Sequence, residues 1–178
     1  MDATTEWFIE QVGMSAEADG LPRIAGRLFG LLLLSPGPRS LDDIAEALGV
    51  SKASVSIDAR LLLKHGWLRR VTLPGDRRDY YEMSPDFFAG IVAYRVARWE
   101  ALHDLVAEAR HRLPQHSNIV RERLRYLDDV QRFFLAAIRD KLVEWRRSHP
   151  EGAPSATPAG GEAADRAHTR PRGKTSRG

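Results

Sequence analysis

The stretch SLDDIAEALGVSKASVS, residues 40–56, decides how this chain is read. Ser40 stands before Leu41, Asp42 and Asp43, which puts a serine at a helix N-cap and an acid at the third helical position. That is close to a capping box, and the two acids also suit the positive end of the helix dipole. LDDIAEAL then stops at Gly49, a residue that takes left-handed backbone without a Cβ penalty. Val50 follows, and Ser51 is a second N-cap, for KASVSIDARLLLKH, which Gly66 closes. Two short helices therefore meet at a tight Gly49-Val50 turn. Ala45 is small at the place where two crossing helices touch, and Ile44, Leu48, Val50 and Val55 supply apolar contacts around it. The pattern predicts a helix-turn-helix.

The second helix has two distinct faces. With Val55 toward the core, Ser51, Ala59 and Leu62 fall within about 40° of it. Ala53, Ile57, Arg60 and Lys64 point the opposite way, and Ser54 and Ser56 flank the helix start. The outward face is small, hydroxylated and basic. Small residues allow close approach to a major groove, serine hydroxyls donate or accept, and an arginine reaches guanine or phosphate. The helix N-terminus with Lys52 suits a phosphate. The expected contact set on this helix is Ser51, Lys52, Ala53, Ser54, Ser56, Ile57, Arg60 and Lys64. Asp58 is the exception, an acid on the core side of the flank. It is expected either to pair with an arginine and orient it, or to weaken binding.

Downstream, WLRRVTLPGDRRDYYEMS, residues 67–84, reads as a β-hairpin. Trp67 to Leu73 are β-formers, Pro74-Gly75-Asp76 is a turn, and Tyr80 and Tyr81 begin the return strand. A lone two-stranded hairpin is marginal in water, so this one has to lean on the helix before it as a wing. Trp67, Leu68 and Val71 give the apolar support. The tip projects Arg77 and Arg78 toward a minor groove or its phosphates. Asp76 is placed to hydrogen-bond the turn backbone, and Asp79 to pair with an arginine.

The rest of the chain is helical. A loose helix runs over residues 4–17, and Pro22 starts another that PGP at 36–38 ends. From Pro85 to Leu113 an apolar stripe of Phe88, Val92, Trp99, Leu102, Val106, Ala109 and Leu113 marks a long helix. A second carries Val120, Leu124, Leu127, Phe134, Ile138, Leu142 and Trp145. Each is expected to hold one apolar stripe. The two stripes can bury each other within the chain, but helices this long favour a dimer. From Pro150 the composition falls to small and polar residues with five basic and three acidic groups, which predicts a disordered basic tail. The expected organisation is an N-terminal helix at 1–20 that contacts the dimer partner, a winged helix-turn-helix at 21–84, dimerisation helices at 85–149 and the tail at 150–178. The fold class is mainly α with a small β-hairpin wing.

Composition narrows the function. The 178 residues contain no cysteine, which excludes disulfides, thiol nucleophiles and Cys-based zinc sites. The longest apolar run, LFGLLLL at 28–34, is too short to span a bilayer, and the N-terminus has no secretory pattern. A cytoplasmic setting without membrane contact follows as the expectation. The net charge of +3 suits a nucleic-acid partner without demanding one. Glu100-x-x-His103 and Glu108-x-x-His111 lie on one helix, pointing about 80° apart, whereas a di-iron site needs facing helices. They read as solvated polar faces. No nucleophile–base arrangement or phosphate-binding glycine loop is present, so neither an enzyme nor a cofactor is expected. GRLFG at 26–30 is a helix interior whose glycines allow close packing.

The segment from Arg23 to Ser84 resembles the winged helix-turn-helix regulators of the MarR superfamily, nearest the GbsR-like branch, through SLDDIAEALGVSKASVS and VTLPGDRRDYY. The resemblance implies a homodimeric bacterial transcription factor on double-stranded DNA, usually a repressor, with an unidentified small-molecule effector. Some GbsR-like members respond to choline-type ligands, which need an aromatic cage. The sequence holds no local aromatic cluster that specifies one. A protein-interaction module on a winged-helix scaffold is the alternative from another class.

Overall fold

The computed structural model describes residues 1–113, 117–150 and 152. Helix α1 spans Ala3–Ala18, α2 Arg23–Leu33, α3 Leu41–Leu48 and α4 Lys52–Lys64. Strand β1 is Arg39–Ser40, β2 Leu68–Val71 and β3 Tyr80–Met83, and the long helices are α5, Phe87–Arg112, and α6, Asn118–Ser148. The tail expected from residue 150 lies outside the described residues, apart from Pro150 and Gly152.

The local signals at 40–66 act as expected. Ser40 and Asp43 form a full capping box, with Asp43 N donating to Ser40 Oγ and Ser40 N donating to the Asp43 carboxylate, both at 3.2 Å. Gly49 sits at φ 64°. Val50 N donates to Ala45 O and Gly49 N to Glu46 O, a Schellman turn that uses the last free carbonyls of α3. The end of α4 repeats the device: Trp67 N donates to Leu62 O, Gly66 N to Leu63 O, and Gly66 has φ 70°.

The core lies where α2, α3 and α4 meet. Leu28, Ile44, Val55 and Leu62 are fully buried there, with Leu31, Leu48, Ala59 and Trp67 around them. Helix α1 covers α2 from outside by burying Ile9, Gly13 and Ala16. The approach is close: a Cβ on Gly26 would meet Val12 O at 2.8 Å and Gly13 Cα at 2.9 Å. Arg27 of α2 donates to Leu48 O at 2.9 Å, which ties α2 to the helix-turn-helix turn.

The predicted hairpin forms from β2 and β3, and β1 adds a third strand that the sequence does not predict, giving an antiparallel sheet in the order β1-β3-β2. β2 pairs with β3 in the register Leu68↔Met83 to Val71↔Tyr80. On its other edge β3 pairs Tyr81 with Arg39 and Tyr80 with Ser40. Ser40 is therefore both the last residue of a strand and the N-cap of α3, and it is buried. Arg69 and the buried Glu82 are direct cross-strand partners and form an ion pair at 2.7 Å.

Helices α5 and α6 run antiparallel, with Trp99 edge-on to Phe134 and Phe88 against Trp145. Val106 and Leu135 are buried between them, so the intramolecular pairing exists. It does not use up the apolar surface. Trp99, Leu102, Leu105, Leu127, Phe134 and Trp145 stay exposed along one flank of the hairpin. The expectation of one stripe per helix fails for α6. Ile119, Tyr126 and Phe133, seven residues apart, form a second exposed ridge opposite the α5-facing side; Tyr126 is 73% and Phe133 70% exposed. Asp128 is buried in the hairpin among Arg110, Arg132 and His103, at 3.0 Å from Arg132 and 3.2 Å from His103 Nδ1. Of the two Glu-x-x-His pairs, Glu100 meets Arg139 and Glu108 meets Arg112. No group of three or more metal-ligating side chains occurs among the described residues, and no described helix is long and apolar enough to cross a membrane.

Candidate nucleic-acid interface

Helix α4 divides its residues as its wheel requires, except at Ser51, which the wheel puts on the core side and which is exposed because it stands outside the helix as its N-cap. Val55, Asp58, Ala59 and Leu62 are buried. Ser51, Lys52, Ala53, Ile57, Arg60 and Lys64 are exposed, and Ser54 and Ser56 lie between. Ile57 is 61% exposed, a large apolar side chain left in water in the middle of an otherwise polar face. That is the chemistry of a contact with a thymine methyl.

Several of these side chains have partners within the chain. Ser51 Oγ accepts from Ser54 N at 3.1 Å and shares a 2.8 Å hydrogen bond with Ser54 Oγ, so both hydroxyls serve the cap. Lys52 pairs with Asp42 of α3 at 2.8 Å, an exposed pair that a phosphate can displace at little cost. Arg60 Nε donates to Ser56 O at 3.1 Å, which holds the arginine stem along the helix and leaves the rest of its guanidinium facing outward. Asp58 does not pair with an arginine, which corrects the first of its two expected roles. Its side chain makes no hydrogen bond or ion pair among the described residues, and burial pushes its carboxyl above the ordinary value. It faces the core side of α4 and not the outward face.

The wing tip is more ordered than a solvated turn. Asp76 N donates to Leu73 O at 3.1 Å, and Gly75 takes φ 81°, closing a type II turn with Pro74 at its second position. Asp76 accepts from Arg78 N at 2.9 Å, as expected of an aspartate in a turn. Its carboxylate also pairs with the Arg78 guanidinium at 2.7 Å and accepts from Tyr80 OH at 2.7 Å. Arg78 further donates to Tyr80 OH and lies 5.3 Å from the centre of that ring. Arg78 and Tyr80 together hold the Asp76 carboxyl far below the usual carboxylate range. Asp79 pairs with Arg70 at 3.1 Å. Arg77 is exposed and makes no hydrogen bond or ion pair among the described residues. The two arginines at the tip thus differ: Arg78 is braced and Arg77 is free.

The fold also gathers an aromatic cluster that no local stretch contains. Phe29 of α2 meets Trp67 edge-on at 5.6 Å and Phe87 at 5.8 Å. Tyr94 of α5 meets His65 at 4.8 Å and Trp67 at 5.8 Å. The rings pack on one another and form a joint between the helix-turn-helix unit and α5. Burial, with the Lys64 charge beside it, pushes the His65 imidazole below its ordinary value. Alongside, an open cleft of about 420 Å³ between the end of α1 and α5 is lined by Asp19, Tyr94, Arg95, Arg98, Trp99 and Ile138 among others.

The comparisons with known proteins agree with this geometry. The model of the MarR family matches residues 19–79. The chain is 36% identical over 131 residues to the HTH-type transcriptional regulator MmpR5 of Mycobacterium tuberculosis, an alignment spanning 69% of this chain and 79% of that protein. It is 25% identical over 148 residues to the HTH-type transcriptional repressor OpcR of Bacillus subtilis, across 71% of this chain and 80% of that one. A solved structure described as a transcriptional regulator superposes with a TM-score of 0.68 at 32% identity, covering 81% of this chain and 99% of the other.

Proposed function

This chain belongs to the MarR family of DNA-binding transcriptional regulators, and from that premise we propose that it acts as a homodimeric, sequence-specific repressor. Residues 21–84 read DNA, with α4 in the major groove and the wing in or beside the minor groove. Ser51, Lys52, Ala53, Ser54, Ser56, Ile57, Arg60 and Lys64 meet the major groove or its rims, and Arg77 and Arg78 meet the minor groove or its phosphates. The observation that carries this reading is the outward face of α4, exposed and basic around Ile57, with a braced arginine tip following it. The long helices at 85–149, with α1, form the dimer. The exposed flank of Trp99, Leu102, Leu105, Leu127 and Phe134 supports that, because monomers rarely leave so much contiguous apolar surface in water. Repression is supported by one relative being named a repressor, and the GbsR-like placement by the two sequence motifs. A small-molecule effector has a place offered to it in the cleft between α1 and α5.

The test is selection of binding sites from random duplexes with the purified chain. A near-palindromic site with half-sites about one helical turn apart, or a multiple of it, is the expected result. Failure to enrich any duplex, with no salt-dependent DNA binding, would favour the protein-interaction reading.

A further inference from the structure

We infer that Gly90 and the aromatic joint around it set the distance between the two recognition helices of the dimer, and so determine which half-site spacing the protein accepts. This rests on the DNA-reading assignment above.

The recognition helix α4 ends in the Schellman turn of His65, Gly66 and Trp67. Helix α5 begins at Phe87 and lies directly on that turn. A Cβ at Gly90 would stand 2.5 Å from His65 O, 2.9 Å from Trp67 Cδ1 and 3.2 Å from Gly66 C. Two of these three atoms belong to backbone, which has no rotamer to give. Backbone meets backbone here without a side chain between, so the angle between α4 and α5 is fixed by contact. Ser84 N donates to Trp67 O at 3.0 Å just ahead of it, and Tyr94, one helical turn on, closes the joint against His65 and Trp67.

The leverage is large. A methyl at residue 90 has to push α5 off the turn by about 1 Å to reach ordinary contact. Pivoting on the Ser84 link about one helical turn away, that is a tilt of about 10°, and along the about 20 Å of α4 it moves the far end by about 3 Å. That is about one base-pair rise. A two-fold dimer applies the shift on both sides, and its two α4 helices have to fall about one helical turn of DNA apart, or a multiple of it.

The experiment compares full-length wild type, Gly90→Ala and Tyr94→Leu. Each is measured for dimer mass, thermal melting and affinity on three kinds of duplex: the selected site, the same site with one or two base pairs inserted or removed between half-sites, and a single half-site. Gly90→Ala should keep wild-type half-site affinity. It should lose on the order of 10²-fold on the original spacing, because simultaneous engagement fails, and its spacing optimum should shift or vanish. Tyr94→Leu keeps the glycine contact and loosens the rings, so its dependence on spacing should flatten. Gly90→Ala binding the original spacing like wild type overturns the inference, and so does an equal loss on half-site and full site. If Gly90→Ala does not fold, Tyr94→Leu decides: a wild-type spacing profile overturns the inference and a flattened one supports it. Wild type that selects no duplex overturns the DNA-reading assignment, and this inference with it.

Discussion

Removing Arg77 separates holding DNA from reading it. Arg77 is exposed at the wing tip and has no partner among the described residues, whereas Arg78 is occupied by Asp76 and Tyr80. Each phosphate contact releases condensed counterions and contributes about 0.9 to the slope of log affinity against log salt. A dimer carries two wings, so Arg77→Ala should flatten the slope by about 1.8. Between 50 and 200 mM salt the logarithm of concentration changes by about 0.6, so wild type should lose about twelvefold more affinity than the variant over that range. The loss should be alike on the selected site and on a scrambled one, since phosphates carry no sequence. Melting should not change, because Arg77 supports no packing. Arg78→Ala should flatten the slope and also lower specific affinity further, because the brace that holds the tip goes with it. The assay is a salt titration of each variant on both duplexes. A slope equal to wild type for Arg77→Ala, or a loss confined to the selected site, would refute the wing-tip phosphate contact.

Arg60→Ala should show the opposite signature, costing about 1–3 kcal/mol on the selected site and little on scrambled DNA, as read by competition binding; equal losses on both would show that Arg60 grips backbone. Asp58→Ala should raise the melting temperature at pH 7. Its carboxyl is pushed up in the fold, so above the ordinary carboxylate value the unfolded chain ionises more readily and the fold loses relative stability, whereas below that value both states are protonated and the gain should fade toward pH 3. Melts across that range check it, and a gain equal at both ends would point to packing instead. Gly26→Ala should destabilise at the upper end of about 1–3 kcal/mol by forcing α1 off α2, seen in denaturant melts; a near-neutral change would mean that the two helices slide apart freely.

What the sequence makes legible is what local chemistry specifies. The caps at Ser40 and Ser51 and the turns at Gly49, Gly66 and Gly75 are settled within a few residues, and the structure forms all of them. The α4 wheel holds within the helix because 3.6-residue periodicity needs only one known core residue, Val55, and it misplaces Ser51, which is the N-cap and not a helical residue. Strand β1 is not legible, since two residues carry no period; it exists because Tyr80 and Tyr81 offer a free edge to Arg39 and Ser40. The aromatic joint is not legible either, because its rings come from residue 29 to residue 94 and only the fold brings them together. Whether an arginine reaches Asp58 is likewise a tertiary question. The outer ridge of α6 had a signal, the seven-residue spacing of Ile119, Tyr126 and Phe133, but the stronger stripe on the α5-facing side hides it in a single wheel.

These contacts also decide where a ligand of the proposed regulator would have to act. Ser40 belongs at once to the sheet and to the α3 cap, and Arg27 ties α2 to the turn before α4. The wing, α2, α3 and α4 are therefore bound to one another by strand pairing, the Ser40 cap, the Arg27 hydrogen bond and a shared core. Their links to the long helices are fewer: the Ser84–Trp67 hydrogen bond, the Gly90 contact with the rings around it, and the Asp19–Arg95 pair, with Arg98 against Gly20, at the end of α1. A ligand shifts a conformational equilibrium only by its difference in affinity between two states. On the proposed function, a ligand would act by changing how the helix-turn-helix unit sits on α5, because that unit's own fold is held by the stronger set of contacts. In the proposed dimer, a ligand lodged between α1 and α5 would touch Arg95, Arg98 and Tyr94, which belong to those links, and would alter half-site spacing before it altered any side chain on α4.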